Sequence, residues 1–422
     1  MSTTAAPRVP PVTGAGLGHC GMGYDVDAIR DHFPALAGGT AFFDGPGGTQ
    51  TPDVVADAVA ATLVSEISNR GQVTPAERRA DEVVRAARAA VGDLLAVDPG
   101  DVVLGRSATA LTFVAARTLS RGWAAGDEVV VSRLDHDANV RPWVLAAEAA
   151  GATVRFAEFD PASGELAAAD VEAVVGSRTK LVAVTAASNL IGTRPDLPAI
   201  AKVAHEAGAL CYVDGVHATA HVSVDVAAEG ADLWVCSPYK FLGPHHGVLA
   251  AAPAVLEGLR PDKLVPSTDV VPERFELGTL PYELLAGTTA AIDFLATLAG
   301  AAGSTRRECL VDAFAALDEH ESRLYGRLED GLRRLDGIRL HSNAARRTPT
   351  MLMTFEDHDV QDVRGHLADR GINAPAGHFY AWECSHHLGL GAAGGLRVGL
   401  APYSTDSDID RLLEGLEEAI RP

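Results

Sequence analysis

Between residues 101 and 252 the chain repeats one pattern: a short Val-, Leu- and Ala-rich run, a polar turn, then a segment with helical spacing. The apolar runs are DVVLG (101–105), EVVVSRL (128–134), TVRFAEF (153–159), KLVAVTA (180–186), ALCYVDG (209–215), LWVCS (233–237) and GVLAAA (247–252). Helical patterns stand between them at about 107–120, 138–150, 168–175 and 196–207. Runs that are apolar at nearly every position need burial on both faces, and the intervening helices supply the covers. An α/β fold follows, with a mostly parallel seven-stranded sheet flanked by helices. The last two runs are joined only by 238–246, too short for a helical crossover, so that pair is expected to be antiparallel.

Before this region, helical patterns are expected at 24–36, 52–69 and 75–95, with FFDGPGGTQTP (42–52) as a strand running into a Gly-rich turn. After it, a long helical segment at about 304–336 precedes the strands IRLHS, TMLMTFE and GLRVGLA, with helices at 359–370 and 405–421. The expected organisation is a flexible tail (1–23), a large α/β domain (24–290) and a smaller α+β domain (291–422), with 24–40 able to pack on the small domain. A net charge of -21 argues against nucleic acid or an anionic membrane as partner, since both need a basic footprint. The five cysteines (Cys20, Cys211, Cys236, Cys309, Cys384) are odd in number and scattered, which disfavours a disulfide framework or a metal site. With neither a secretory pattern at the start nor an apolar run of membrane-spanning length (about 18 residues), a cytoplasmic protein is expected.

In open α/β sheets, ligands bind outside the carboxyl ends of the strands. Polar side chains collect there: Arg106, Ser107 and Thr109 after one strand, then His136, Asn189, Asp214 with His217, and finally Ser237, Tyr239 and Lys240. An acid on one strand end and a lysine on the next suit pyridoxal phosphate. The lysine would form the Schiff base, and the carboxylate would hold the pyridine nitrogen protonated. The competing reading is a capping Asp and a Lys whose stem lies along apolar surface. Ala108 and Thr109 open a helix whose N-terminus would attract a phosphate, although Ser107 or Thr109 would cap that helix without any ligand. His136 could stack on a planar ring, and Asn189 could bond its phenolic oxygen. His217 could contact that same oxygen or pack locally, and Arg397 offers a fork for a substrate carboxylate.

These residues stand in segments that together resemble fold-type I pyridoxal phosphate enzymes of the class V aminotransferase group, in the cysteine desulfurase and selenocysteine lyase branch. The segments are FFDGPGGTQTP, NRG (69–71), GRSAT, LDHDANVRPW, SNLIGT, YVDGVHA, SPYKFLGP, RFELGT, GHFYA and LRVGLAPYST, spanning about 25–420. The resemblance implies Lys240 as the Schiff-base lysine, His136 stacked on the ring, Asp214 at the pyridine nitrogen and Asn189 on the substrate or cofactor-oxygen side. It assigns the phosphate to Ala108, Thr109 and Ser237, with Gly278 and Thr279 reaching across from a second subunit of a homodimer. His217 stands where the family often has glutamine, and Tyr239 where it often has histidine. Arg397 matches the arginine that binds the substrate α-carboxylate.

One departure bears on the reaction. The matching loop of the desulfurases carries a nucleophilic cysteine that takes sulfur as a persulfide, and here that position is Tyr380. Cys384 follows four residues later, and the family's arginine before the loop is replaced within NAPAGH. The expectation is therefore a C–S lyase acting by β-elimination on cysteine or an S-substituted cysteine, with Lys240 as base at Cα and Tyr380 a donor at the leaving group. The alternatives are a class V aminotransferase or amino-acid epimerase, and a true desulfurase that uses Cys384.

Overall fold

The computed structural model describes residues 23–300 and 303–421. The expected tail, 1–22 of it with Cys20, lies outside the described residues. The chain opens with α1 (Val26–Arg30), β1 (Ala41–Phe42), α2 (Asp53–Leu63) and α3 (Pro75–Leu95). An alternating section follows: β2 (Val102–Gly105), α4 (Ala108–Leu119), β3 (Glu128–Ser132), α5 (Arg141–Ala150), β4 (Thr153–Ala157), α6 (Ala168–Glu172), β5 (Thr179–Thr185), α7 (Leu197–Glu206), β6 (Leu210–Asp214), β7 (Leu233–Cys236) and β8 (Gly247–Ala251). These strands form one seven-stranded sheet in the order β2-β8-β7-β6-β5-β3-β4. Only β8 runs antiparallel to its neighbours, β7 and β2, as the short 238–246 connection requires.

Period-two alternation sorts the strand side chains into two cores. Val102, Leu104, Val130, Cys211, Val213, Trp234 and Cys236 face one helical layer. Val103, Val129, Val131, Tyr212, Leu233 and Val235 face the other. At 0–1% exposure these side chains leave no polar face, which is why the strands read as continuous apolar runs.

Past β8 come α8 (Pro253–Gly258), α9 (Tyr282–Leu295) and α10 (Arg306–Leu332), then β9 (Ile338–Leu340), β10 (Thr350–Phe355), α11 (Val360–Asp369), β11 (Ile372–Asn373), β12 (Ala376–Gly377), α12 (Trp382–His387), β13 (Gly395–Gly399) and α13 (Asp406–Ala419). The antiparallel sheet β12-β13-β10-β9 carries a third core, and β1 pairs in parallel with β11. The start of the chain touches the same layer: Tyr24 Oη donates to Pro402 O (2.6 Å) and Arg30 to Tyr403 O (2.6 Å).

Three differences from the sequence expectation have local causes. A division at 290 falls inside α9, a continuous helix that packs on α2 and α3. The helix expected over 24–36 stops at Arg30, and Pro34 then starts a separate 3-10 turn. The helix expected to Asn69 ends at Leu63, where Leu63 and Val64 are already 63% and 86% exposed and no core face remains to hold it. Among the described residues no helix is long and apolar enough to cross a membrane, and no cluster of His, Cys, Asp and Glu could hold a metal ion.

Candidate active site

The carboxyl ends of β3, β5, β6 and β7 and the N-terminus of α4 surround one cavity of about 610 Å³, mouth included. Register places Asp214 between Thr185 of β5 and Val235 of β7, so its carboxyl opens at the cavity floor. It is 6% exposed and accepts one backbone bond, from Val216 N at 2.9 Å. Burial pushes this carboxyl up to about 6, against the pull of the Val216 N–H and Lys240. A buried carboxylate with a single hydrogen bond calls for a further N–H or cationic partner in the cavity.

Lys240 enters from the 3-10 turn Pro238–Lys240, which β7 delivers beside β6. It is 7% exposed, and its Nζ donates to Pro46 O. Burial, then the charge of Arg397, lowers its amine from 10.5 to about 7, while Asp214 and Asp44 pull the other way. A neutral amine is therefore present near neutral pH, as a nucleophilic lysine needs.

The opposite wall is the first turn of α4. Ser107 caps it by accepting from Ala110 N at 3.1 Å, and the N–H groups of Ala108 and Thr109 have no intrahelical acceptor. Gly247 makes this close packing possible: a Cβ there would stand 2.2 Å from Ser107 C and 2.6 Å from Ala108 N. Ser237 also lines the cavity, buried at the end of β7.

His136 rises on the third side, its Nδ1 accepting from Ala138 N at 3.0 Å. Burial lowers its imidazole to about 4, so it is a neutral ring suited to stacking. The turn is pinned from beneath by Asp135, which Ser132 Oγ and Asn139 Nδ2 (2.6 Å) bond, while Trp143 Nε1 donates to Asn139 Oδ1 at 3.1 Å. Burial pushes Asp135 up to about 8, against the pull of its Ser132 and Asn139 hydrogen bonds.

His217 is 2% exposed, with Nε2 at 2.9 Å from both Thr348 Oγ1 and Thr350 Oγ1. Its Nδ1 and the Oδ1 of Asn189 are buried without partners, and both residues line the cavity. Desolvation, then His221, keeps the His217 imidazole far below its usual range. Tyr239 lines the mouth with its ring stacked on His245, centroids 4.7 Å apart. The free helix N–H groups, the one-bonded Asp214, the weakly basic Lys240 and the orphaned His217 Nδ1 match the phosphate, ring nitrogen, aldehyde and phenolic oxygen of pyridoxal phosphate.

Other expected site residues lie apart. Arg397 of β13 is 2% exposed and outside the cavity wall: its Nη1 donates to Asn189 O at 2.8 Å, and Phe379 lies over its guanidinium at 3.6 Å. Burial lowers it to about 9. Tyr380 is 71% exposed, its ring 5.6 Å from His136 and its carbonyl accepting from Asp137 N at 2.7 Å. Cys384, on α12, has no exposure, and burial pushes its thiol far above the ordinary range. Gly278 and Thr279 are exposed and away from the cavity of their own chain. The sequence places Asp135 among the polar strand ends but gives no role to it, to Asp44 or to Pro46, although the glycines of FFDGPGGTQTP signal a close backbone approach at the last two.

Residues 41–412 match the family described as Aminotransferase class-V. An uncharacterized protein of Mycobacterium tuberculosis is 35% identical, over 94% of this chain and 99% of its own length. A cysteine desulfurase of Dickeya dadantii is 30% identical, over 94% of this chain and 97% of its own. Among solved structures, the Escherichia coli cysteine desulfurase CsdA superposes with a TM-score of 0.83 at 26% identity, covering 94% and 98% of the two chains. The apo cysteine desulfurase of Thermococcus onnurineus gives 0.84 at 23% identity, covering 93% and 98%, a likeness of fold.

Proposed function

The chain belongs to the class V aminotransferase family, in its cysteine desulfurase-like branch, and from that premise we propose that it cleaves the C–S bond of cysteine or an S-substituted cysteine by β-elimination. It is a pyridoxal phosphate-dependent enzyme. The cofactor, when bound, supplies an electron sink that weakens the bonds to the substrate Cα. Ala108, Thr109 and Ser237 would hold its phosphate, Asp214 its ring nitrogen, and Asn189 and His217 its phenolic oxygen. His136 would stack on the ring, with Tyr239 at the rim.

Lys240, about half neutral at pH 7, would attach the cofactor and take the proton from Cα. Arg397 holds the α-carboxylate, which orients the C–S bond for departure. The sulfur leaves with the bonding pair and takes a proton, for which Tyr380, exposed and with its ring 5.6 Å from His136, is the donor in this reading. With cysteine, the net reaction consumes one water and yields pyruvate, ammonia and hydrogen sulfide.

The observation that carries this choice is the burial of Cys384. A persulfide route needs a reachable thiolate. Among the described residues this segment offers Tyr380 at the surface and Cys384 with no exposure and a thiol that resists ionisation. The test is incubation of the purified enzyme with L-cysteine and S-alkyl cysteines. Pyruvate with sulfide or thiol is expected. Alanine with a persulfide on Cys384 would reverse the assignment, and amino transfer to a keto acid, or inversion at Cα, would move it to a class V aminotransferase or epimerase.

A homodimer completes the site in this reading, with Gly278 and Thr279 contributing to the partner's phosphate. The adjoining segments expose Leu63, Val64, Leu264, Val265, Val270 and Leu277, and Arg70 ties them through Glu273 at 3.2 Å. Sedimentation at micromolar concentration should give twice the chain mass; a monomer with full activity refutes the shared site.

A further inference from the structure

Among the described residues, Phe379 and Tyr380 are the only adjacent non-glycine pair with left-handed backbone, at φ +50 and +59. Each costs free energy that a contact must offset. Besides a bond within the loop, from Tyr380 N to His378 Nδ1 at 3.1 Å, three contacts tie the pair to segments next to the cavity. Asn189 Nδ2 donates to Phe379 O at 3.0 Å, Asp137 N to Tyr380 O at 2.7 Å, and the Phe379 ring covers the Arg397 guanidinium at 3.6 Å. Beneath the ring, Arg397 is 2% exposed, with one hydrogen bond to Asn189 O at 2.8 Å and an Nε that has no acceptor. The Asp44 carboxylate acts on this guanidinium at a distance but makes no hydrogen bond to it, so a buried cation with an unmade Nε bond under an aromatic cover still has donors for an anionic partner.

We propose that Phe379 is a specificity-determining residue, a strained cover that seals Arg397 until a substrate α-carboxylate displaces it. This rests on the reading that Arg397 binds that carboxylate. The strain of two left-handed residues pushes the cover open, and the cation–π contact and two backbone hydrogen bonds pull it shut. Only a group that replaces the ring's attraction for the cation shifts the balance, so an amine without a carboxylate leaves the cover in place.

The test uses the holoenzyme and its F379A, F379L and R397K variants, with two separate readouts. Modification of Arg397 by phenylglyoxal, followed by peptide mass mapping, should be at least about tenfold faster in F379A than in wild type, because removing the ring opens the guanidinium. In kinetics, KM for L-cysteine should fall about 2- to 30-fold in F379A and F379L, the range for losing one cation–π contact, with activity on cysteamine unchanged. Inhibition by acetate should tighten by the same factor and vanish in R397K. Equal phenylglyoxal rates in wild type and F379A, with R397K still raising KM, would overturn the seal alone. An unchanged KM in R397K would overturn the carboxylate reading beneath it, whatever the modification rates.

Discussion

Lys240 offers the sharpest quantitative test, because its chemistry depends on an amine that burial has made weakly basic. The fall from 10.5 to about 7 corresponds to about 5 kcal/mol favouring the neutral form. At pH 7 about half of the Lys240 amines would be neutral, about a thousandfold more than for an ordinary lysine. Apoprotein mixed with pyridoxal phosphate should therefore capture it at a rate that rises with pH and levels off above about pH 7. The rate is read by visible absorbance, and borohydride trapping with peptide mapping confirms the site.

Two variants give the sign. Arg397→Met removes a repelling cation and should move the midpoint up; Asp214→Asn removes an attracting anion and should move it down. Stability follows the same proton. From about pH 7 to 10.5 the unfolded chain holds a proton on Lys240 that the fold does not, so apoprotein stability should rise with pH across that window. Lys240→Met should accordingly stabilise the apoprotein at pH 7, by up to about 4 kcal/mol in urea denaturation. A capture midpoint that stays above about pH 9, or a downward shift in Arg397→Met, would refute the argument from burial.

Three further outcomes are expected. Cys384→Ala should leave turnover and product ratio unchanged, and native protein should show no rapid labelling of Cys384 by a thiol reagent; prompt labelling would mean the segment opens. Gly247→Ala drives a Cβ to 2.2 Å from Ser107 C, so it should cost about 1–3 kcal/mol by chemical denaturation and weaken retention of the cofactor phosphate at the α4 N-terminus on dialysis. Glu276→Ala removes the carboxylate that Arg88 bonds twice at 2.8 Å and that accepts from Leu104 N at 2.9 Å. The loss should be about 3 kcal/mol, the low end for a broken buried pair, because Glu273 still holds Arg88; a change near zero would show that the pair is dispensable.

The α/β architecture was readable because every strand of the large sheet except the edge strand β4 is buried on both faces, so its composition alone declares its place. The short connection before GVLAAA carried the one antiparallel strand in the same way. The residues of the cavity were readable for a related reason: a parallel sheet gathers its strand ends on one edge, and the chain marks those ends with polar residues. Asp214, Lys240, His136 and Ser237 could thus be picked out as a set without coordinates. Helix ends at Arg30 and Leu63 were less legible, since they depend on where a core face runs out.

Local pattern could not supply what depends on three separated segments meeting. Cys384 and Tyr380 lie four residues apart, and only the fold of α12 against the core makes one a sealed thiol and the other an exposed phenol. Arg397 reads from sequence as an open fork, yet the loop carrying Phe379 crosses above it and the Asn189 carbonyl engages it from the β5 end. Burial and electrostatics are sums over neighbours, not properties of a residue's own stretch of chain. The order of residues therefore declared a cofactor site, while which thiol, which cation and which amine are reachable was decided by packing.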